Sequence, residues 1–329
     1  MYFPKEKKHH KTDGFKNYPA HISGSMPNKK EAFKFLFRRV WYSMFPLPMN
    51  IDYKLSEEQS INQFNLLKNS DSITWLGHAS FLIKINNKHI LTDPHLTPWA
   101  SSVPGTGPKR FSEPGISIKN LPKIDMIIIS HSHYDHLSKS TLKQLPNKED
   151  IHIIIPLGLK YFFEKLGYTK ITELDWHENI QIENIKFTAL PARHHSRRTL
   201  FDKNKTLWAS WLINFNDTKV YFSGDTAYSS TIFKEINSKY GDINYALVPI
   251  GAYEPRKIMK YNHTNPKEAV QIGLDLKAKN IIAMHWGTFN LTDESPDEPP
   301  RKFLEEAINL GYEDNSTWVM KIGESRTLN

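Results

Sequence analysis

The sequence predicts a layered α/β or α+β fold, and three observations lead to that prediction. Short runs of apolar and β-branched residues recur from Asp71 onward, as expected for strands. Segments with helical periodicity are interspersed among these runs, mainly in the last third of the chain. The chain has 329 residues, of which 39% are hydrophobic and 24% charged, so it is an ordinary globular sequence that can bury a sizeable core.

The N-terminal part differs from the rest of the chain. Residues 1–28 are polar and lack a hydrophobic period, so we expect them to form an extended arm. Residues Lys30–Phe45 are predicted to form a helix that ends before Pro46 and Pro48. This amphipathic helix suits a membrane surface, and the alternative is that its apolar side packs on the body of the protein. Its basic side chains share one side, and the other side carries Phe33, Phe37, Val40 and Met44.

From Asp71 onward the predicted elements follow closely on one another. Asn86-Asn87 is a hairpin signal, and Met126–Ile129 is a short apolar run typical of a strand buried on both faces. The loops Leu96–Pro114 and Thr292–Pro300 are long enough to act as lids. The other predicted strands are Ile73–Leu76, Phe81–Ile85, His89–Thr92, Ile151–Ile155, Ile171–Leu174, Ile180–Ile182, Ile185–Leu190, Trp208–Phe215, Lys219–Ser223, Tyr245–Pro249, Ile281–Met284 and Trp318–Ile322. The predicted helices are Ser138–Leu145, Leu159–Leu166, Ser230–Lys239, Pro266–Leu276 and Arg301–Leu310.

The positive charge is concentrated in the first 50 residues. They hold ten Lys and Arg against three Asp and Glu, so this arm carries +7 of the net charge of +8. The rest of the chain is nearly neutral, which argues against a nucleic-acid coat protein and against nucleic-acid cleavage by the body of the chain. We therefore expect a phospholipid membrane surface as the partner of the arm, and no nucleic acid.

Cysteine is absent, whereas histidine occurs 15 times. Without cysteine there are no disulfides and no thiolate zinc sites. Any metal ion therefore has to be held by His, Asp or Glu side chains.

The segment His131–His136, with the sequence H-S-H-Y-D-H, is the strongest functional signal. It directly follows a predicted buried strand, where side chains converge on a cleft. Three imidazoles and a carboxylate in so short a run need polar partners when buried, and a divalent metal ion supplies such a partner. The spacing lets His131 and His133 reach one ion, while Asp135 and His136 project in a different direction and suit a second. The alternative is a histidine-rich tract on the surface.

Further candidate ligands also follow predicted strands. His194 and His195 come after Ile185–Leu190, and the residues alone do not decide between them. Asp225 follows Tyr221-Phe222-Ser223-Gly224, where glycine lets the backbone approach closely. His285 follows Ile281–Met284. Taken alone, each residue has an ordinary structural explanation, either a capping aspartate or a hydrogen-bonded core histidine. All of them, however, share one position, the carboxyl end of a buried strand.

These residues carry a resemblance to a known family. The H-x-H-x-D-H run with later His, Asp and His resembles the metallo-β-lactamase fold, which implies a four-layer αββα sandwich. Longer motifs resemble the N-acylphosphatidylethanolamine-hydrolysing phospholipases D. The resemblance covers roughly residues 70–329, so we expect a basic N-terminal arm at 1–70 and a hydrolase domain at 71–329. The motifs are Thr74–Ala79, Leu91–Pro94, Gly107–Phe111, Val248–Arg256, Lys260–His263, His285–Phe289 and Gly323–Arg326.

The resemblance implies a site with two zinc ions. One ion would be bound by His131, His133 and His194, and the other by Asp135, His136 and His285, with Asp225 bridging. The motif favours His194 over His195, and Asp93 would orient a ligand histidine. Two residues depart from the family pattern: His195 stands where an aromatic residue is expected, and Asn262 where Gln is expected before His263.

The resemblance also implies an activity. Zinc-activated hydroxide would hydrolyse N-acylphosphatidylethanolamine, or a related phospholipid, to N-acylethanolamine and phosphatidic acid. Asp135, Asp225 and His263 are the expected catalytic residues, although a structural role for His263 stays open. The candidate substrate-binding residues are Tyr134, Arg256, Asn262 and His263.

The sequence leaves two alternative functions open. One is hydrolysis of another substrate, either a lactone or a soluble phosphodiester, and the other is a membrane-bound binding or scaffold protein. The scaffold alternative is disfavoured because none of the seven expected metal ligands is missing. We expect a cytoplasmic enzyme, peripheral on the membrane surface, and the resemblance implies a homodimer.

Overall fold

The computed structural model describes residues 7–19, 29–44, 52–101, 103 and 105–328. Two sheets of seven strands form the centre of the molecule, and helices cover their outer faces. The strand order is β16-β3-β4-β5-β6-β7-β8 in the first sheet and β15-β14-β13-β12-β11-β10-β9 in the second. This arrangement confirms the predicted four-layer αββα sandwich.

Each sheet has an antiparallel half and a parallel half. Strands β5 to β8 pair in parallel, as do β12 to β15, while the remaining pairs are antiparallel. The first sheet contains β3 (Ser72–Gly77), β4 (Ser80–Ile85), β5 (Lys88–Thr92), β6 (Met126–Ile128), β7 (His152–Pro156), β8 (Lys170–Leu174) and β16 (Ser325–Thr327). The second contains β9 (Asn179–Ile182), β10 (Ile185–Leu190), β11 (Ser210–Phe215), β12 (Thr218–Phe222), β13 (Tyr245–Pro249), β14 (Asn280–Met284) and β15 (Thr317–Trp318).

Strand β6 shows why the sequence forms two apolar layers. Met126 and Ile128 belong to the cluster shared with the second sheet, whereas Ile127 points into the cluster on the opposite face. Because successive side chains on a strand alternate between faces, a continuous apolar run is buried on both sides. The predicted hairpin turn is also present, with Asn86 and Asn87 at φ 49° and 59°.

The helices lie where predicted, with two additions. The prediction missed α2, which begins with a capping box at Ser56 and Gln59, and the short α6. Asn265 and Pro266 start α7 in the same way. The helices are α1 (Lys29–Met44), α2 (Glu57–Leu66), α3 (Lys139–Gln144), α4 (Lys160–Glu164), α5 (Ser230–Tyr240), α6 (Arg256–Met259), α7 (Pro266–Asp275) and α8 (Glu298–Asn309).

The prediction of an extended arm is wrong for residues 7–19. They form a small hairpin of β1 (His10–Lys11) and β2 (Gly14–Phe15), and the ring of Phe15 is fully buried in the main core. Two-residue strands give no hydrophobic period, so the sequence pattern could not reveal them. The rest of the predicted arm, and the two prolines expected after the helix, lie outside the described residues.

Helix α1 forms as predicted, but Phe33 and Phe37, expected on its apolar side, face solvent. Phe33 is 69% exposed and Phe37 63%. On the basic side, Arg38 contacts the body through an ion pair of 2.6 Å between its Nη2 and Asp293 Oδ2, whereas Lys30 and Lys34 are exposed. In the described part of the chain, no helix combines the length and apolarity needed to span a bilayer.

Candidate metal centre

The seven expected metal ligands meet at one edge of the sandwich. Each follows the carboxyl end of β6, β10, β12 or β14, and strands β12 to β14 run in parallel so that their ends coincide. The structure brings the side chains together in two groups of four donors, with all donor atoms of a group within 4.8 Å of one another. One group is His131, His133, His194 and Asp225, and the other is His78, Asp135, His136 and His285.

Asp225 lies between the two groups. Its Oδ2 is 3.7 Å from His194 Nε2 and 3.1 Å from His136 Nε2, and its Oδ1 is 3.1 Å from His285 Nε2. The Oδ2 atom also lies 3.9 Å from His131 Nε2. Two donors bound tetrahedrally to one zinc ion at about 2.0–2.1 Å are about 3.3 Å apart, so these separations leave room for an ion between the atoms.

Three of the donor atoms are left without a hydrogen-bond partner. His136 Nε2, His285 Nε2 and Asp225 Oδ1 are buried and make no hydrogen bond, although they lie close together. Leaving buried polar atoms unpaired costs free energy, and native structures rarely do so. A cation between these atoms would satisfy all of them, so the residues present fit a metal centre.

Neighbouring hydrogen bonds fix the orientation of the ligand rings. His136 Nδ1 donates to Asp93 Oδ2 at 2.7 Å, and the Ser130 backbone N–H donates to Asp93 Oδ1 at 2.6 Å. His194 Nδ1 donates to the carbonyl of Asn262 at 2.9 Å. In each histidine the Nδ1 bond leaves Nε2 facing the cluster, which is the arrangement that metal-binding imidazoles need.

Burial keeps several of the imidazoles neutral. It lowers the pKa of His133 to about 3 and moves the pKa values of His131 and His194 well below their usual range. Burial also opposes protonation of His285, but the adjacent Asp225 and Asp135 carboxylates outweigh it and raise the pKa of His285 to about 9. Neutral imidazole is the form that binds metal, so binding of a metal ion to His285 releases a proton.

His78 is a member of the site that the sequence analysis missed. Its Nε2 donates to Asp135 Oδ2 at 3.0 Å, and its ring lies 4.0 Å from the ring of His285. The backbone of His78 has φ 55°, a conformation unusual for a residue with a side chain. A signal was present, because His78 directly follows β3 as the other ligands follow their strands.

The candidate substrate residues lie beside this cluster. His263 is 9% exposed, with its Nδ1 3.8 Å from Asp225 Oδ2, and burial lowers its pKa to about 4. His195 Nδ1 donates to Asn262 Oδ1 at 3.0 Å, and His194, not His195, belongs to a donor group.

Arg256 and Tyr134 are occupied by other contacts. Arg256 pairs with Glu268 and donates to the backbone carbonyl of His263 at 2.8 Å. The Tyr134 hydroxyl donates to the carbonyl of Arg198 at 2.9 Å, and the Arg198 guanidinium lies 4.1 Å from the centre of the Tyr134 ring. Their substrate-binding roles stay predictions, and the structure gives both residues a role in holding neighbouring backbone.

Comparison with known proteins places the chain among metal-dependent hydrolases. Residues 88–286 match the model of the beta-lactamase superfamily domain. The chain is 33% identical over 314 residues to N-acyl-phosphatidylethanolamine-hydrolyzing phospholipase D 1 of Caenorhabditis elegans, covering 92% of this chain and 88% of that protein. It is 36% identical over 247 residues to the mitochondrial N-acyl-phosphatidylethanolamine-hydrolyzing phospholipase D of Saccharomyces cerevisiae, covering 73% of this chain and 53% of that protein.

Solved structures support the fold. A metallo hydrolase of Ignicoccus hospitalis superposes with a TM-score of 0.61 at 19% identity, covering 79% of this chain and 99% of that one. A diiron β-hydroxylase of Streptomyces venezuelae, CmlA, gives a TM-score of 0.59 at 21% identity, covering 79% of this chain and 54% of that one. Because one of these neighbours holds iron, the fold alone does not identify the metal.

Proposed function

The chain belongs to the N-acylphosphatidylethanolamine-hydrolysing phospholipase D family of the beta-lactamase superfamily, and on that premise we propose that it is a phospholipase D with two zinc ions. It is a metal-dependent hydrolase. The proposed reaction cleaves N-acylphosphatidylethanolamine, or a related phospholipid, to N-acylethanolamine and phosphatidic acid. The observation that carries the proposal is Asp225, whose two carboxylate oxygens face both donor groups.

The proposed zinc ions are assigned to the two groups of donors. His131, His133 and His194 would bind one ion, Asp135, His136 and His285 the other, and Asp225 would contact both. Zinc is supported by the donor set, since imidazole and carboxylate without thiolate suit it. When bound, such a pair of ions lowers the pKa of water and neutralises charge on phosphoryl oxygens.

The surrounding side chains supply binding and proton handling. His263 is neutral at pH 7 because burial lowers its pKa to about 4, so it suits donating one hydrogen bond to an anionic substrate or to the departing oxygen. His78 would hold the carboxylate of Asp135 in place through its 3.0 Å hydrogen bond. Asn262 is already committed to His194 and His195, so it shapes the site through these histidines.

A membrane surface is the proposed location of the substrate. Two pairs of apolar side chains point into solvent: Phe33 and Phe37 on α1, and Leu200 and Phe201, which are 77% and 82% exposed. Leu200 and Phe201 lie on the loop that follows His194. Exposed basic and apolar side chains together favour the interface of an anionic bilayer, so we assign the protein a peripheral, cytoplasmic position. The homodimer that the resemblance implies stays a prediction.

A substrate panel tests the proposed function. Purified protein loaded with zinc is given N-acylphosphatidylethanolamine, phosphatidylethanolamine, a lactone and a soluble phosphodiester. We expect the N-acylated phospholipid to have the highest kcat/KM and phosphatidic acid to appear as product. Preference for the lactone or the soluble diester would instead support another hydrolase of the superfamily.

The variant Asp225→Asn tests the role of the shared carboxylate. Metal analysis should find two zinc equivalents in the wild type and fewer in the variant. Turnover should fall by well over ~100-fold, since changing a mere hydrogen-bond partner of a ligand already costs 10–100-fold. Circular dichroism serves as the folding control. Full activity with a full metal complement in the variant would exclude the bridging role.

A further inference from the structure

The side chain of Asn17 binds both backbone groups of the metal-ligand candidate His194. Asn17 Nδ2 donates to the His194 carbonyl at 2.9 Å, and the His194 N–H donates to Asn17 Oδ1 at 3.2 Å. This pairing resembles that between two strands and fixes the peptide from which the imidazole projects. Asn17 lies far outside residues 88–286, the part of the chain that matches the superfamily domain.

The hairpin that carries Asn17 is anchored firmly on the body. The backbone N–H of Phe15 donates to the Asn204 carbonyl at 2.8 Å, and the Phe15 ring is buried in the core. At Gly14 a Cβ atom would lie 2.2 Å from the Asn204 carbonyl oxygen, so the hairpin backbone sits directly against that loop. The Asn204 N–H in turn donates to the Ser196 carbonyl at 2.8 Å, two residues after His194.

A buried charge cluster holds the other end of the hairpin. The Asp175 carboxylate accepts hydrogen bonds from His9 Nε2 at 2.6 Å and His10 Nε2 at 2.8 Å, and Lys7 Nζ lies 2.9 Å from the same carboxylate. Asp175 is 2% exposed, and both histidines are buried. These contacts join the hairpin to the segment between β8 and β9.

His9, His10 and Asp175 are residue types that also bind metal ions, but their geometry differs from that of the candidate metal centre. The separations of 2.6 and 2.8 Å are those of direct hydrogen bonds, and a lysine ammonium already faces the carboxylate. In the candidate metal centre, by contrast, Asp225 stands 3.1–3.9 Å from its histidines and several donor atoms make no hydrogen bond. The cluster is therefore an anchor for the hairpin.

We propose that Asn17 is a positioning residue for the metal ligand His194. The carboxamide holds the His194 peptide, and the hydrogen bond from His194 Nδ1 to the Asn262 carbonyl holds the ring, so the imidazole is fixed at both ends. The hairpin 7–19 then serves as a structural part of the metal centre. The inference rests on the role of His194 as a ligand and does not depend on the identity of the substrate.

Metal binding by full-length variants tests this inference without substrate. Asn17→Ala should lower the affinity for the metal ion that His194 binds by about 10–100-fold, as measured by chelator competition. The absorption spectrum of the cobalt-substituted protein should also change, because a displaced imidazole alters the ligand geometry. Asp13→Ala, in the exposed turn of the same hairpin, is the matched control and should behave like the wild type.

A conservative variant separates positioning from general stability. Asn17→Asp keeps an oxygen acceptor for the His194 N–H but loses the donor to the His194 carbonyl, so its metal affinity should lie between those of Asn17→Ala and the wild type. The unfolding temperature of each metal-free variant is measured alongside. Wild-type metal affinity and cobalt spectrum in a folded Asn17→Ala protein would overturn the proposal, as would equal losses in Asp13→Ala. Failure of the substrate panel with these results intact would refute only the proposed substrate.

Discussion

His195 Nδ1 lies 3.0 Å from Asn262 Oδ1, so the two side chains expected to differ from the family pattern are hydrogen-bonded to each other. Asn262 also accepts a hydrogen bond from the metal-ligand candidate His194 through its backbone carbonyl. An aromatic residue in place of His195 would leave the amide of Asn262 without this partner. The hydrogen bond therefore links the two positions, and the backbone of Asn262 supports His194 separately.

A double-mutant cycle measures this coupling. His195→Phe alone removes the donor to Asn262 Oδ1 and should lower kcat/KM, because the Asn262 side chain loses the hydrogen bond that holds it beside the candidate site. The double variant His195→Phe with Asn262→Gln introduces the residues expected from the family resemblance and should recover part of the loss. We expect an interaction free energy of about 0.5–3 kcal/mol. Strictly additive effects of the two single variants would show that the hydrogen bond has no functional role.

Asp93 should tune metal affinity through His136. Asp93→Asn keeps the size of the side chain but removes the charge that His136 Nδ1 contacts at 2.7 Å. Metal affinity or turnover should fall about 10–100-fold, less than in Asp225→Asn. Isothermal titration of the metal-free variant with zinc checks this. Unchanged affinity would mean that the ring of His136 is held by packing alone.

Protonation of His95 should destabilise the fold in acid. His95 is fully buried, neither ring nitrogen has a hydrogen-bond partner, and burial together with Arg110 lowers its pKa from 6.5 to about 3. Between pH 6.5 and about pH 3, His95 binds a proton in the unfolded chain but not in the folded chain. The free energy of unfolding therefore falls as the pH drops. From pH 7 to pH 5 this single group should lower the free energy of unfolding by about 2 kcal/mol.

The variant His95→Leu isolates this contribution. Urea denaturation of the metal-free proteins at pH 7 and pH 5 should show a smaller loss of stability for the variant, by about the same 2 kcal/mol. Parallel pH profiles for wild type and variant would assign the acid sensitivity to other groups.

The exposed apolar pairs should govern membrane binding. Serine in place of Phe33 and Phe37, or of Leu200 and Phe201, should weaken binding to vesicles of phosphatidylcholine and phosphatidylglycerol by at least about tenfold, because burying one such side chain contributes about 1.5–3 kcal/mol. Sedimentation of protein with vesicles measures the effect.

Helix α8 provides the matched control for the membrane experiment. Leu304 and Ile308 are 40% and 60% exposed there, and serine at these positions should leave vesicle binding unchanged. Hydrolysis of a monomeric soluble diester should be unaffected in all of these variants. Equal vesicle binding by wild type and both apolar variants would place the membrane contact elsewhere.

Much of the fold and the site followed from local patterns. Strands such as β6 have an uninterrupted apolar run, which identified them as buried strands. The candidate ligands follow the carboxyl ends of such strands, where side chains from neighbouring strands meet. His78 occupies the same position after β3 but stands alone in a tight turn, so its position after a strand was the one signal that marked it. The hairpin 7–19 was missed because strands of two residues have no period, and its stability comes from contacts such as that between His9 and Asp175, which are 166 residues apart.

The sequence by itself determined the kinds of donor available and the edge of the sandwich at which they meet. Without cysteine, and with histidines and aspartates after buried strands, only a nitrogen and oxygen site was open to it. Tertiary structure decided which donors face inward. His194 belongs to a donor group and the adjacent His195 does not; contacts with the distant Asn17 and with the Asn262 carbonyl hold His194, whereas the Asn262 side chain binds His195. Such contacts depend on how separate parts of the chain pack, which no local pattern contains.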